Sequence, residues 1–428
     1  MNGPDRPGFE PPVYPHDRLA PLHDLGAAHE GGMVDLSIGT PCDDPSEAVL
    51  AALVDATRAR GYPPSLGSPQ LRDAIADWSQ RVLGVSLDAD SQIAACVGTK
   101  ELVAGLPHWL HLRTPQRDTV LYPELSYPSY AMGARLAGCR AVPVPCGPEG
   151  IQLDAVDPAD IRRALCLWVN TPANPHGALD DLAGVVRWGR ANRVLVVSDE
   201  CYVAFTWETP HGLNPAGGAG RSVLEWGTDG VLAAHSLSKR SNLAGLRAGF
   251  YAGDADVVHY LSEVRKHAGL MTPGPVQAAA AVAFADETHV DQQRGRYRRR
   301  LEAVAAALGA RGLPVQLPGG GFYLWVPAPD GDGWALTRQL VERAGVLGSP
   351  GDFYGPTGTG YVRLAMVQPD ARLELIDGAG HMSPLERPDA VSRALRSFWV
   401  GEPEEASNEE APDEEATDEE AAEGAAKG

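Results

Sequence analysis

Val231-Leu232-Ala233-Ala234-His235-Ser236-Leu237-Ser238-Lys239 is a short apolar run that ends in a lysine flanked by serines. The run over residues 231–234 has the length and composition of a buried strand. Five earlier runs share it: 93–97, 119–122, 141–144, 165–169 and 194–197. Helical patterns lie between them, as at 129–137, where Pro128 precedes the first residue. Short apolar strands alternating with helices predict an α/β fold with a mostly parallel sheet covered on both faces. Ligands of such sheets bind beyond the carboxyl ends of the strands. The chemistry-bearing residues of this chain fall there.

Lys239 follows the sixth strand and can form an imine with an aldehyde cofactor. Ser236 and Ser238 can hold a phosphate, and Arg247, in Gly245-Leu246-Arg247-Ala248-Gly249, offers the same phosphate a planar fork. Asp199 ends the fifth strand, where a carboxylate can pair with a protonated pyridine nitrogen; capping of a following helix is the plain alternative. Tyr202 can donate to a ring phenolate oxygen. So can Asn174, in Asn170-Thr171-Pro172-Ala173-Asn174-Pro175-His176-Gly177, although an Asn-Pro pair also marks an ordinary turn. Gly98-Thr99-Lys100 opens a helix whose first backbone N–H groups can cradle phosphate. Tyr127, in a proline-flanked loop, can stack on a pyridine ring.

Outward from this core, helices are expected over 45–60 and 71–83, with a loop over 61–69. An Ala- and Arg-rich helical stretch over 275–308 leads to strands at 322–326 and 361–366. The expected organisation is an N-terminal arm (1–44) that joins a small domain, a large cofactor-binding domain (45–280), a small C-terminal α+β domain (281–400) and a disordered acidic tail (401–428). The tail carries twelve Asp or Glu and one Lys, too little apolar surface to offset ordering. It accounts for −11 of the net charge of −20, leaving −9 on the rest. A body this acidic argues against a nucleic-acid partner. No run of about 20 apolar residues suggests a membrane span, and the polar, proline-rich start does not read as a signal peptide. The six cysteines form no CxxC pair and no zinc-finger spacing. They suit reduced thiols in a cytoplasmic enzyme that needs no metal.

In order, Gly-Thr-Lys, the tyrosine loop, Asn-Pro-x-Gly, Asp-x-x-Tyr, and Ser-x-Ser-Lys with Arg eight residues on resemble the fold-type I pyridoxal-phosphate-dependent aminotransferases, over residues 36–369. The resemblance implies pyridoxal 5'-phosphate on Lys239, amino-acid and keto-acid substrates, and a homodimer with shared sites. It further implies that Gly39 approaches the substrate carboxylate. Tyr62 would reach the phosphate of the neighbouring subunit, and Arg363, in Tyr361-Val362-Arg363-Leu364-Ala365, would grip the α-carboxylate. Asn174 would also border the substrate. Three phrases, 33–42, 97–107 and 260–269, resemble more narrowly the actinobacterial succinyldiaminopimelate aminotransferases of lysine biosynthesis. That implies transfer from glutamate to N-succinyl-2-amino-6-oxopimelate. Another amino-acid aminotransferase, or a carbon–sulfur β-lyase of the same fold, remains an alternative. A non-enzymatic regulator with an aminotransferase-like domain would need a DNA-binding module, for which the arm is too short. After Pro369 the chain departs from the family: residues 373–388, including His381, resemble the C-terminal segment of α/β-hydrolases. No G-x-S-x-G nucleophile elbow accompanies it, so a structural role is expected.

Overall fold

Strand residues alternate between two faces, and here both faces are apolar, so the central strands are covered on each side. Strand β1 spans Ile93–Cys96, β2 Thr119–Pro123, β3 Arg140–Val144, β4 Ala164–Asn170, β5 Leu195–Asp199, β6 Val231–Ser236 and β7 Gly249–Gly253. The computed structural model describes residues 9–369 apart from 30–31, 59, 148–149, 210–211 and 219. The seven strands form one sheet in the order β1-β7-β6-β5-β4-β2-β3. Pairing is parallel from β6 through β3. Strand β7 runs antiparallel to both neighbours.

On one face Leu167, Val169, Val196, Ala233 and Phe250 pack with Leu71, Ile75, Val185 and Phe284 of the covering helices. On the other, Cys166, Trp168, Val197, Leu232 and Tyr251 pack with Leu102, Leu106, Tyr130 and Leu261. Each fully buried Leu, Val or Phe contributes roughly 1.5–3 kcal/mol relative to exposure. Register then aligns the functional strand ends. Asn170 lies opposite Asp199, Asp199 opposite Ala234, and Ser236 opposite Gly249.

Past the sheet, the helices Gly274–Ala285 and Thr288–Gly309 lead to a three-stranded antiparallel sheet. Its strands are β8 (Tyr323–Pro327), β9 (Ser349–Pro350) and β10 (Tyr361–Ala365), with β10 central. The N-terminal segment joins this part of the molecule. Val34–Asp35 pairs in parallel with Val346–Leu347, and Leu19 and Leu22 are buried with Val341, Leu347 and Phe353.

The six strands expected from the sequence all form. Three expectations need correction. Strand β7 has no counterpart among the expected strands, because its glycines mask a five-residue run that is buried throughout. The stretch over 275–308 is two helices; the break at Asp286-Glu287 lets Glu287 pair with the buried Arg240. The arm is not merely polar, since Leu19, Leu22 and Leu25 lie on one side of a helical stretch. The acidic tail and the hydrolase-like segment around His381 lie outside the described residues.

Candidate active site

A cavity of about 360 Å³ opens beyond the carboxyl ends of β4, β5 and β6. Among its lining residues are Gly39, Thr99, Lys100, Tyr127, Asn174, Asp199, Tyr202, Ser236, Ser238, Lys239, Arg247 and Arg363. Thus twelve of the fourteen residues singled out in the sequence meet in one place. Gly98 adjoins it: a Cβ there would collide with the Arg247 guanidinium. Tyr62 does not line the cavity formed by this chain and is 96% exposed.

Lys239 sits in the four-residue helix Leu237–Arg240, whose N-cap is Ser236; the Ser236 hydroxyl accepts from the Ser238 N–H at 3.1 Å. This turn directs the amine back over the strand ends, where it donates to the Gly39 carbonyl. Burial, more than any neighbouring charge, lowers the amine to about 8. A larger share of it is therefore neutral near physiological pH than for a surface lysine. Asp199 is buried and accepts from the Tyr130 hydroxyl at 2.8 Å and the Cys201 backbone N–H at 3.2 Å. Burial raises its carboxyl above the usual range against these hydrogen bonds. A buried carboxylate held by neutral donors is suited to receive a protonated ring nitrogen.

The surroundings of Gly98 and Arg247 are equally defined. Gly98 adopts φ 72°, a conformation glycine takes readily, and caps the helix Thr99–Arg113. The first N–H groups of that helix have no partner within it. Arg247, itself in the left-handed region at φ 54°, lays its guanidinium over the Gly98 Cα. Helix terminus, guanidinium and the two serines fit a dianion. Amine, carboxylate and dianion cradle together match a phosphorylated pyridine aldehyde, so the residues present fit pyridoxal 5'-phosphate.

Arg363 projects from β10 and is almost wholly buried. Its two terminal nitrogens donate to Asn174 Oδ1 at 2.8 Å and to the Ser37 carbonyl at 2.6 Å, while Nε has no partner. The rings of Tyr323 and Tyr354 lie 4.1 and 4.8 Å from the guanidinium carbon. Among the described residues no Asp or Glu pairs with it. A buried cation with acceptors but no counter-charge is prepared for an anionic ligand.

Several residues in or beside the cavity carry no role in the sequence analysis above. Asn170 donates to the Asp199 carbonyl at 2.8 Å and accepts from the Asn174 N–H at 2.8 Å, holding that loop against the strand ends. Tyr130, three residues after Tyr127, is the partner of Asp199 and stacks on Trp168 at 5.1 Å. Tyr14, Pro15 and His16 reach the cavity from the arm. Burial, then Arg363, lower the His16 imidazole below its usual value. Lys100 turns its ammonium to the Tyr14 hydroxyl at 3.1 Å, so only its backbone faces the cradle.

Comparisons with known proteins agree with this geometry. The profile of the family "Aminotransferase class I and II" matches residues 31–377, past Pro369 but short of His381. A probable aminotransferase of Mycobacterium tuberculosis is 42% identical over 369 residues, 85% of this chain and 83% of that one. The 4-dedimethylamino-4-oxo-anhydrotetracycline transaminase of Streptomyces rimosus is 41% identical over 85% of this chain and 97% of that one. Among solved structures, a probable N-succinyldiaminopimelate aminotransferase from Thermus thermophilus superposes with a TM-score of 0.74. It is 31% identical, over 88% of this chain and 99% of that one. With a cavity built for pyridoxal 5'-phosphate and a family match over most of its length, the chain belongs to the class I and II aminotransferases, pyridoxal-phosphate-dependent transaminases of fold type I.

Proposed function

We propose that this aminotransferase moves the amino group of glutamate to a keto acid carrying a second, distant carboxylate, with N-succinyl-2-amino-6-oxopimelate of lysine biosynthesis as the acceptor. The observation that carries the reading is the buried Arg363, which has no carboxylate partner among the described residues and so suits the α-carboxylate common to donor and acceptor. The N-succinyldiaminopimelate aminotransferase likeness supports the acceptor. Lys100 supports a second carboxylate: with Arg247 on the phosphate, Arg363 on the α-carboxylate and Lys239 on the cofactor, it is the remaining Lys or Arg among the described residues that line the cavity, its ammonium beside the Tyr14 hydroxyl.

When bound, the cofactor supplies an electron-withdrawing ring that makes a Cα proton labile. Arg247, Ser236, Ser238 and the backbone of Gly98, Thr99 and Lys100 hold its phosphate, and Tyr62 of a second copy completes that cradle. Asp199 keeps the ring nitrogen protonated. Tyr202 and Asn174 hydrogen-bond the ring oxygen, and Tyr127 covers one ring face. Arg363 orients the substrate by its α-carboxylate, beside Gly39, so that Cα faces Lys239. The Lys239 amine would be the base that takes the proton from Cα and, once protonated, the acid that gives it back, a role a lowered amine pKa suits.

Tyr62, Leu50 and Val54 are exposed apolar or aromatic side chains near the start of the large sheet's covering helices, which supports a homodimer. Free cysteines throughout the described residues support a reducing, cytoplasmic setting.

The 41% identity to a tetracycline-pathway transaminase favours a second reading, a polycyclic ketone as acceptor. A spectrophotometric screen of amino donors against keto acids decides between them. Turnover of glutamate with the succinylated keto acid, and not with polycyclic ketones, is expected. Turnover that needs no acceptor at all would instead indicate a carbon–sulfur lyase.

A further inference from the structure

Tyr323 has no part in the roles assigned above, yet it touches three groups that do. It projects from β8, and its ring lies 4.1 Å from the Arg363 guanidinium. Its hydroxyl is 2.9 Å from that of Tyr202. The same hydroxyl occupies the space a Cβ on Gly39 would need, which explains the glycine there. Both tyrosine hydroxyls are buried, and either could donate in their shared bond.

We propose that Tyr323 is a positioning residue that couples occupation of the carboxylate site at Arg363 to the hydrogen bond Tyr202 makes with the cofactor's ring oxygen. The inference rests on the cofactor roles proposed above. A tyrosine hydroxyl has one proton. If Tyr202 gives its proton to the ring oxygen, Tyr323 is the donor in the bond between the two hydroxyls. The chain then runs from Tyr323 to Tyr202 to the ring oxygen, and each donor polarises the next. The Arg363 charge beside the Tyr323 ring makes this first donor stronger. A carboxylate bound to Arg363 cancels that charge, weakens the chain and leaves the ring oxygen less well stabilised as an anion. Arrival of substrate at one end of the site is thus felt at the cofactor, through two side chains from different parts of the fold.

The test is a pH titration of the visible absorbance of the holoenzyme, wild type against Tyr323→Phe, with and without maleate as a non-reacting dicarboxylate. The variant keeps the ring under Arg363 and loses only the hydroxyl. Loss of the first donor should raise the titration midpoint by roughly 0.1–0.7 pH unit, from a 10–30% weakening of one charged hydrogen bond. Maleate should raise the wild-type midpoint, and that shift should shrink in the variant. Coincident midpoints, a lower midpoint in the variant, or an undiminished maleate shift would each overturn the proposal. So would weaker maleate binding with an unmoved midpoint, which would make Tyr323 mere packing. A wild-type enzyme with no visible band would sink the cofactor reading itself and this inference with it. A normal wild-type band with an unmoved variant midpoint sinks this inference alone.

Discussion

Replacing Arg363 with lysine keeps the buried positive charge and removes the fork. The guanidinium now satisfies Asn174 Oδ1 at 2.8 Å and the Ser37 carbonyl at 2.6 Å on separate nitrogens, with the ligand face left over. A single ammonium cannot reach both acceptors and still grip a carboxylate through two parallel bonds. The loss is therefore at least one hydrogen bond to a charged group, about 1.5–3 kcal/mol. In kcat/KM that is a fall of roughly 10- to 150-fold. Because donor and acceptor share the α-carboxylate, single-turnover measurements should show both half-reactions weakened alike. The fold should survive, since no charge is buried or removed. An unchanged kcat/KM, or a loss confined to one half-reaction, would refute the assignment of Arg363 to the common carboxylate.

Borohydride treatment of the yellow holoenzyme should fix the cofactor to Lys239; peptide mapping that finds it on another lysine sinks that assignment. The amine's low pKa adds a sign. Neutral amine is the reactive form, so uptake of cofactor by the cofactor-free protein should speed up as pH rises through about 8 and then level. A rate still climbing through pH 10 would mean an ordinary lysine. Asp43 accepts from both terminal nitrogens of the nearly buried Arg300, each at 2.8 Å. Asp43→Ala should cost about 3–5 kcal/mol of stability by denaturant unfolding, and because the loop carrying Gly39 is anchored there, KM should rise too. A cost under about 1 kcal/mol would show the pair contributes little. Mixing Lys239→Ala with Tyr62→Phe subunits should recover activity through hybrid dimers, whereas a fully active monomer on sedimentation would remove Tyr62 from the site.

How much of this could be read from the amino acids alone depends on which kind of contact placed each residue. Lys239, Asp199 and Asn174 follow apolar strands directly, and strand ends in a parallel sheet converge whatever the detailed packing. Arg363 came through the family resemblance, not through periodicity, because its strand lies 189 residues from its partner Asn174. Tyr130, Tyr323 and His16 carry no local signal beyond being aromatic. Their places depend on a stack against Trp168, a bond to Tyr202 and an edge contact with Phe353. Strand β7 was missed for a different reason: strand propensity is low in glycine, and only burial between β1 and β6 makes Gly249–Gly253 extended.

The pairing of the N-terminal segment with the C-terminal sheet sets an order of events during synthesis. Ser37 receives a hydrogen bond from the Ser349 hydroxyl, 312 residues later. At roughly 5–20 residues per second, the ribosome needs about 15–60 s to deliver that partner. Through that interval Leu19 and Leu22, both buried in the finished protein, lack Val341, Leu347 and Phe353, although in its last part, after residue 253, the large sheet has all its strands. Gly39 and Arg363, which flank the proposed substrate position, come together only after β10 emerges. The strands that carry Asp199 and Ser236 are therefore made well before the apolar N-terminal segment meets its partners.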